Sequence, residues 1–206
     1  MVSAEQIIEL QDRETRSLHQ AEAAISMAKA DAGPEGRADW LEAVGRQHRA
    51  NFELWHIEDE ARAPGARDSD LAGVKLRVDV TNQLRNDLAE QLDRVLLGWL
   101  EPKGLPNPGA ELNSESPGLM IDRLSILALK IYHTREEAER AGAPEGHAER
   151  NLERLAILEE QRRDLAGCLD ALWRETLDGK RRFKLYRQLK MYNDPALNPA
   201  IYRASS

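Results

Sequence analysis

With 206 residues, 32% of them charged and 5% aromatic, the chain can bury about two thirds of its unfolded surface without staples. Its wealth of Ala, Leu, Glu and Arg and its few β-branched runs argue against a sheet-based fold; they predict an all-α bundle of about five long helices with a basic, partly irregular C-terminal segment. A net charge of -7 excludes bulk nucleic-acid or anionic-membrane binding by the whole surface, because phosphate contacts need a positive field.

A single helical domain is expected over residues 1–206, with 180–206 as a basic wrap. Ser3 and Gln6 have capping-box spacing, and Ile7, Gln11, Glu14, Leu18, Ala21 and Ile25 then share one face of a helix that should end before Gly33-Pro34. The early acidic residues Glu5 and Glu9 interrupt any signal-peptide core. A second helix should span Ala38 to Arg62, stopped by Pro64-Gly65, and a third should run from the Asp68-Ser69-Asp70 cap to Trp99.

Pro102, Gly104, Pro106, Pro108 and Gly109 predict a long loop, either a crossover or part of a site. Ser116-Pro117 restarts the chain, with Ser as N-cap and Pro at the first helical position, and helix four should reach Arg140. A fifth helix from Ala148 to Leu177 places Leu152, Leu155, Leu158, Arg162, Leu165, Leu169 and Leu172 at heptad-like spacing, so it should pack along another helix. Cys168 lies in that stretch and is expected to be a small buried hydrophobe. From Lys180 onward a short basic helix should give way to turns at Asn193-Asp194-Pro195 and Asn198-Pro199.

Ionisable residues fall where these helices should bury carbon. On helix two, Trp40, Leu41, Val44, His48, Asn51, Phe52, Trp55, Glu58, Asp59 and Arg62 form one stripe, half of it polar. Glu58 and Arg62 are either an exposed ion pair four residues apart or, aligned with Trp55, part of a shared polar site, and the second reading is favoured. On helix three, Val74, Leu84, Leu88, Leu92, Val95 and Trp99 predict an apolar face. Lys75, Asp79, Asn82, Asn86, Glu90 and Asp93 line up opposite it, with Arg85 at the flank. Asn is a poor helix former, so Asn82 and Asn86 one turn apart suggest a specific hydrogen-bonding task. Glu90 and Asp93, three apart, could hold one hard cation such as magnesium.

Helix four is apolar almost all round, which marks it as central, yet it carries Asp122, Arg123, Lys130 and His133. A convergent pocket would supply partners for all four; Arg123 and Lys130 could instead snorkel to solvent. The five histidines include no pair four apart around a Glu, and no cysteine cluster joins them, which gives zinc little support. His133 is the candidate acid, base or anion contact, and His48 is read as a satisfied core residue. In the tail, Arg187 and Lys190 among aromatic residues suit phosphate binding and stacking, with Asn193 and Asp194 held by the turns that follow.

Several of these stretches resemble one family. Asn51 to Arg62 (NFELWHIEDEAR), Asn82 to Asp87 (NQLRND), Ser114 to Gly118 (SESPG), Ile121 to His133 (IDRLSILALKIYH) and Tyr186 to Pro195 (YRQLKMYNDP) are similar to the bacterial domain of unknown function 4254. One departure is Leu18, where the family has Trp before the histidine. The resemblance implies a helical, cytoplasmic bacterial protein, associated with gene neighbourhoods for cell-envelope polysaccharides, and it brings no established activity.

The function these readings predict is binding of, or action on, a phosphorylated or nucleotide-sugar compound. Arg62, Arg85, Arg123, Lys130, Arg187 and Lys190 would hold the anion. Glu58 and Asp59, with Asp122 or His133, would act as general acid or base or bind magnesium. Asn51, Trp55, Asn82, Asn86, Asn193 and Asp194 complete the expected ligand contacts. No membrane span is expected, and a homo-oligomer is left open. The alternative is a noncatalytic interaction protein in an envelope-biosynthesis assembly, docking through helix three and the basic tail.

Overall fold

The computed structural model describes residues 3–24, 37–62, 68–189 and 196–197. Helix α1 (Ala4–Ala24) begins at the expected capping box: the Ser3 amide donates to Gln6 Oε1 at 3.1 Å and the Gln6 amide to Ser3 Oγ at 3.3 Å. Its start is tied across the molecule by the Ala4 amide, which donates to Asp170 Oδ1 at 2.9 Å. Helices α2 (Arg37–Ala61) and α3 (Asp68–Leu100) follow, then α4 (Pro117–Glu139) and α5 (His147–Leu177). No helix among the described residues is long and apolar enough to cross a membrane.

Helix α4 touches each of the other four helices, as its nearly continuous apolar surface requires. Ile121, Leu124 and Met120 pack with Ile7 and Leu10 of α1, Val44 of α2, Leu92 of α3 and Leu165, Leu169 and Leu172 of α5. Its start follows the sequence signal: the Leu119 amide donates to Ser116 Oγ at 3.4 Å, with Pro117 in the first turn. Gly118 lets this start lie against α3, since a Cβ there would overlap the Ala89 carbonyl oxygen and crowd the Asp93 carboxylate.

Between α3 and α4 the chain makes a 3-10 turn at Glu101–Lys103, reverses at Gly104 with φ 69°, and forms strand β1 (Glu111–Leu112). Strand β2 (Arg181–Arg182) pairs with β1 in parallel, and Arg182 Nε donates to the Ala110 carbonyl at 2.9 Å. The basic helix expected after Lys180 is therefore corrected. Gly179 at φ 70° ends α5, the next backbone groups bond across to the β1 segment, and Phe183, 2% exposed, seats against Leu96 and Leu100. The turns expected at Asn193-Asp194-Pro195 and Asn198-Pro199 and the end of α1 near Gly33-Pro34 lie outside the described residues.

Two burial expectations also change. Cys168 is exposed: it lies at the edge of the stripe of Leu165, Leu169 and Leu172, in the lining of an open cleft between α4 and α5. On α3, Leu88 and Leu92 are buried, but Leu84, Val95 and Trp99 are 45%, 43% and 46% exposed. The long α3 offers its neighbours a narrower stripe than its apolar composition suggests.

Candidate functional site

Asp122 is the centre of a buried polar chain. It is 5% exposed, and its Oδ1 accepts from Gln47 Nε2 at 2.6 Å, Asn51 Nδ2 at 3.0 Å and Arg85 Nε at 2.8 Å, while Arg85 Nη2 donates to Oδ2 at 2.5 Å. A buried carboxylate needs such a set, since without it the ionised form would be expelled to water. The carboxylate in turn raises the Arg85 guanidinium above its ordinary range through the hydrogen-bonded pairing, against the opposing effect of burial.

The chain continues through Asn51 to α1. Asn51 Nδ2 donates to Ser125 Oγ at 3.0 Å; His48 Nδ1 lies 2.8 Å from Ser125 Oγ and His48 Nε2 2.9 Å from Thr15 Oγ1, which donates to the Gln11 carbonyl at 2.8 Å. Thr15 has one hydroxyl proton, already used, so it accepts from His48 Nε2–H, and Ser125 donates to Nδ1. Burial holds this neutral tautomer and lowers the His48 pKa to about 4, helped by Arg49. His48 is a core histidine satisfied at both nitrogens.

Arg85 and Asn51 form the floor of an open cleft of about 450 Å³ between α2, α3 and α4. Trp55 and Leu54 wall it on the α2 side and Ile126 and Leu129 on the α4 side, with Glu58, Asp59 and Arg62 at its mouth. Arg62 pairs with Glu58 at 3.1 Å in an exposed contact four residues apart and donates to the Glu58 carbonyl at 2.7 Å. Glu58 and Arg62 are thus the exposed pair four residues apart, because α2 is near its end there and its polar stripe emerges into solvent, and the same two side chains line the cleft that Asn51 and Arg85 share. Asn82 and Asn86 are half-buried on α3 on either side of Arg85 in sequence, outside the cleft lining.

The four polar residues of α4 do not converge. Successive helical residues point about 100° apart, so with Asp122 turned to α2 and α3, Arg123 faces the other way. Arg123 and Lys130 are exposed and line a second cleft, about 760 Å³, toward α5, with Asn113, Gln161 and Asp164; Arg123 pairs there with Glu115 at 2.6 Å. Ile126 belongs to both clefts and separates them. Arg187 is exposed, and Lys190, Asn193 and Asp194 lie outside the described residues.

Glu90 and Asp93 have separate tasks. Glu90 pairs with Arg94 at 2.9 Å and accepts the Gln188 amide at 3.0 Å. Asp93, 2% exposed, accepts the Gly118 amide at 2.7 Å and bonds to Ser116, so it secures the start of α4. Burial pushes its pKa up to about 6, against the lowering effect of those two bonds and with Glu90 adding to the rise.

The structure assembles one group that spacing did not reveal. His19 of α1, His56 of α2 and His133 of α4 bring ring nitrogens within 4.8 Å of one another. Phe52 packs on His19 and His56, Tyr132 stacks on His19 at 4.3 Å, and Trp55 stacks on His133 at 4.8 Å, so the wall of the first cleft is also the wall of this cluster. Burial lowers the His133 pKa, with nearby His19 adding to the effect. A sequence signal did exist: each histidine stands four residues after a core position, Thr15, Phe52 or Leu129, and so one turn along a buried stripe.

The chain belongs to the family described as protein of unknown function (DUF4254), whose model matches residues 41–185. No curated protein and no solved structure matches it. The matched region holds both clefts, His56, His133 and the Asp122 network as far as His48, whereas α1, with Thr15 and His19, precedes it.

Proposed function

We propose that this family member binds a phosphorylated small molecule, a nucleotide sugar or a relative of one, in the cleft between α2, α3 and α4. The observation that carries the reading is the placement of Arg85. Two of its five N–H donors are spent on a buried carboxylate that fixes the guanidinium, and the side chain still lines the cleft, which leaves donors for an anion. Holding the cation in place before the ligand arrives reduces the ordering cost of binding. Arg62 at the mouth adds a second cation, and Trp55 offers an indole for a base or sugar. Glu58 and Asp59 are the carboxylates in reach for magnesium or acid–base work. A bacterial cytoplasmic role in cell-envelope polysaccharide synthesis belongs to the same proposal.

The test is thermal denaturation with nucleoside diphosphates, nucleotide sugars and sugar phosphates, with and without magnesium. Ligand at a hundred times its dissociation constant adds about 2.7 kcal/mol of stability. The expected result is a rise in Tm that Arg62→Ala and Arg85→Lys both weaken; a flat panel, or a rise indifferent to both substitutions, overturns the reading.

A second reading rests on α3. Leu76, Val80 and Leu84 follow one another at four-residue intervals and are 66%, 62% and 45% exposed, a stripe suited to covering by another helix. A noncatalytic interaction protein would use it. Light scattering of the purified chain and of Leu76→Glu tests self-association through that face.

A further inference from the structure

We propose that His19, His56 and His133 form a binding site for a divalent transition-metal ion of the zinc class. The protonation of the ring nitrogens points to it. His19 Nδ1 lies 2.8 Å from the Thr15 carbonyl oxygen, which can only accept, so Nδ1 carries hydrogen and Nε2 presents a lone pair. His133 Nδ1 lies 3.0 Å from a Glu136 carboxylate oxygen, which fixes the same tautomer there. Both Nε2 atoms are buried, and neither meets a hydrogen-bond partner among the described residues. Two buried lone pairs in one cluster cannot satisfy each other, and a cation satisfies both.

The surroundings match what imidazole ligation requires. A backbone carbonyl behind His19 and a carboxylate behind His133 orient the rings and raise their basicity, as partners of metal-bound histidines do. Three neutral imidazoles select zinc, cobalt, nickel or copper over magnesium and calcium, which take oxygen ligands. Zinc–nitrogen bonds of about 2.0–2.1 Å place tetrahedral ligand atoms about 3.4 Å apart, so the rings draw together slightly from the present limit of 4.8 Å. Three protein nitrogens leave one position for water or a ligand, and Trp55, stacked on His133, also lines the first cleft. The site does not depend on what that cleft binds.

The experiment uses the full chain, produced without a histidine tag, stripped with EDTA and titrated with Zn²⁺ by calorimetry, and with Co²⁺ by visible absorption. One Zn²⁺ per chain is expected, with affinity at least a hundredfold weaker in His19→Ala and in His133→Ala and unchanged in His147→Ala, a histidine outside the cluster bonded to Asn151 and Glu137. Co²⁺ should give the intense visible bands of a tetrahedral centre. That spectrum is read on the unsubstituted chain, so it decides the matter even where a variant fails to fold. Weak octahedral bands, no binding, or equal loss in His147→Ala overturns the proposal and assigns the space to a buried water.

Discussion

On the α2–α3 flank of α4, Asp122 is 5% exposed and grips Arg85 with both oxygens, whereas on the α5 flank Arg123 meets Glu115 in one exposed contact and Lys130 stands in solvent. Both flanks belong to one helix and are separated by Ile126. The difference shows that what makes a charge a fixed part of a site is the depth of its partner rather than its own exposure. Arg85 is held because Asp122 cannot reach water, and Arg123 is loosely held because Glu115 can.

The two flanks should respond very differently when each loses its key group. Asp122→Ala strands Arg85, Gln47 and Asn51, and should lower stability in urea by about 3–5 kcal/mol. Similar losses in Asp122→Ala and Arg123→Ala would show that the flanks do not differ.

Next come two titrating groups on the deep flank, with opposite signs. His48 has its pKa depressed from 6.5 to about 4, so its contribution is full above 6.5 and is lost as pH falls toward 4. Asp93 has its pKa raised from 3.8 to about 6, so its contribution is full below 3.8 and is lost as pH rises through 6. Each is worth about 3 kcal/mol at the usual 1.36 kcal/mol per pH unit, and they oppose each other between pH 4 and 6. Relative to the parent chain, Asp93→Asn should make stability climb more steeply from pH 4 to 6, and His48→Gln should make it fall, as measured by denaturant unfolding at both pH values. Parallel curves for all three proteins would show that neither burial matters.

Gly118→Ala should cost about 1–3 kcal/mol, by forcing α4 off the Ala89 carbonyl and loosening the Asp93 cap. The smallest effect belongs to the open flank, where Arg123→Ala and Lys130→Ala should each change stability by less than about 1 kcal/mol. A larger loss from Lys130→Ala would reveal a partner for that lysine and move the boundary of the fixed region.

The helices were legible because their ends are written in local chemistry, as at Ser3 with Gln6 and at Ser116-Pro117. Asp122 and Asn51 stand out because a charged or polar group on a buried stripe demands partners, and Arg85 only as a cation at the flank of a polar face. Their pairing was not legible, since the approach of α2 and α3 to α4 decides it. The basic composition of the tail predicts helix because it says nothing of the Ala110 carbonyl that Arg182 finds 72 residues away. The grouping of His133 with His19 and His56 is not legible for the same reason: each lies on a different helix, and spacing within one helix carries no information about the other two.

The bond from the Ala4 amide to Asp170 joins residues 166 apart in sequence. Neighbouring pairs such as α2 with α3 and α4 with α5 close short loops, while α1 packs on α2 and α4 and fixes its start on α5, so its full seat exists only once α4 and α5 have met. The order of assembly follows: α1 is expected to dock last and to open first, with its amides exchanging hydrogen faster than those of α4. His19 travels with α1, so the histidine cluster would come into being only at the end of folding, and a chain able to hold metal there would report its own completion.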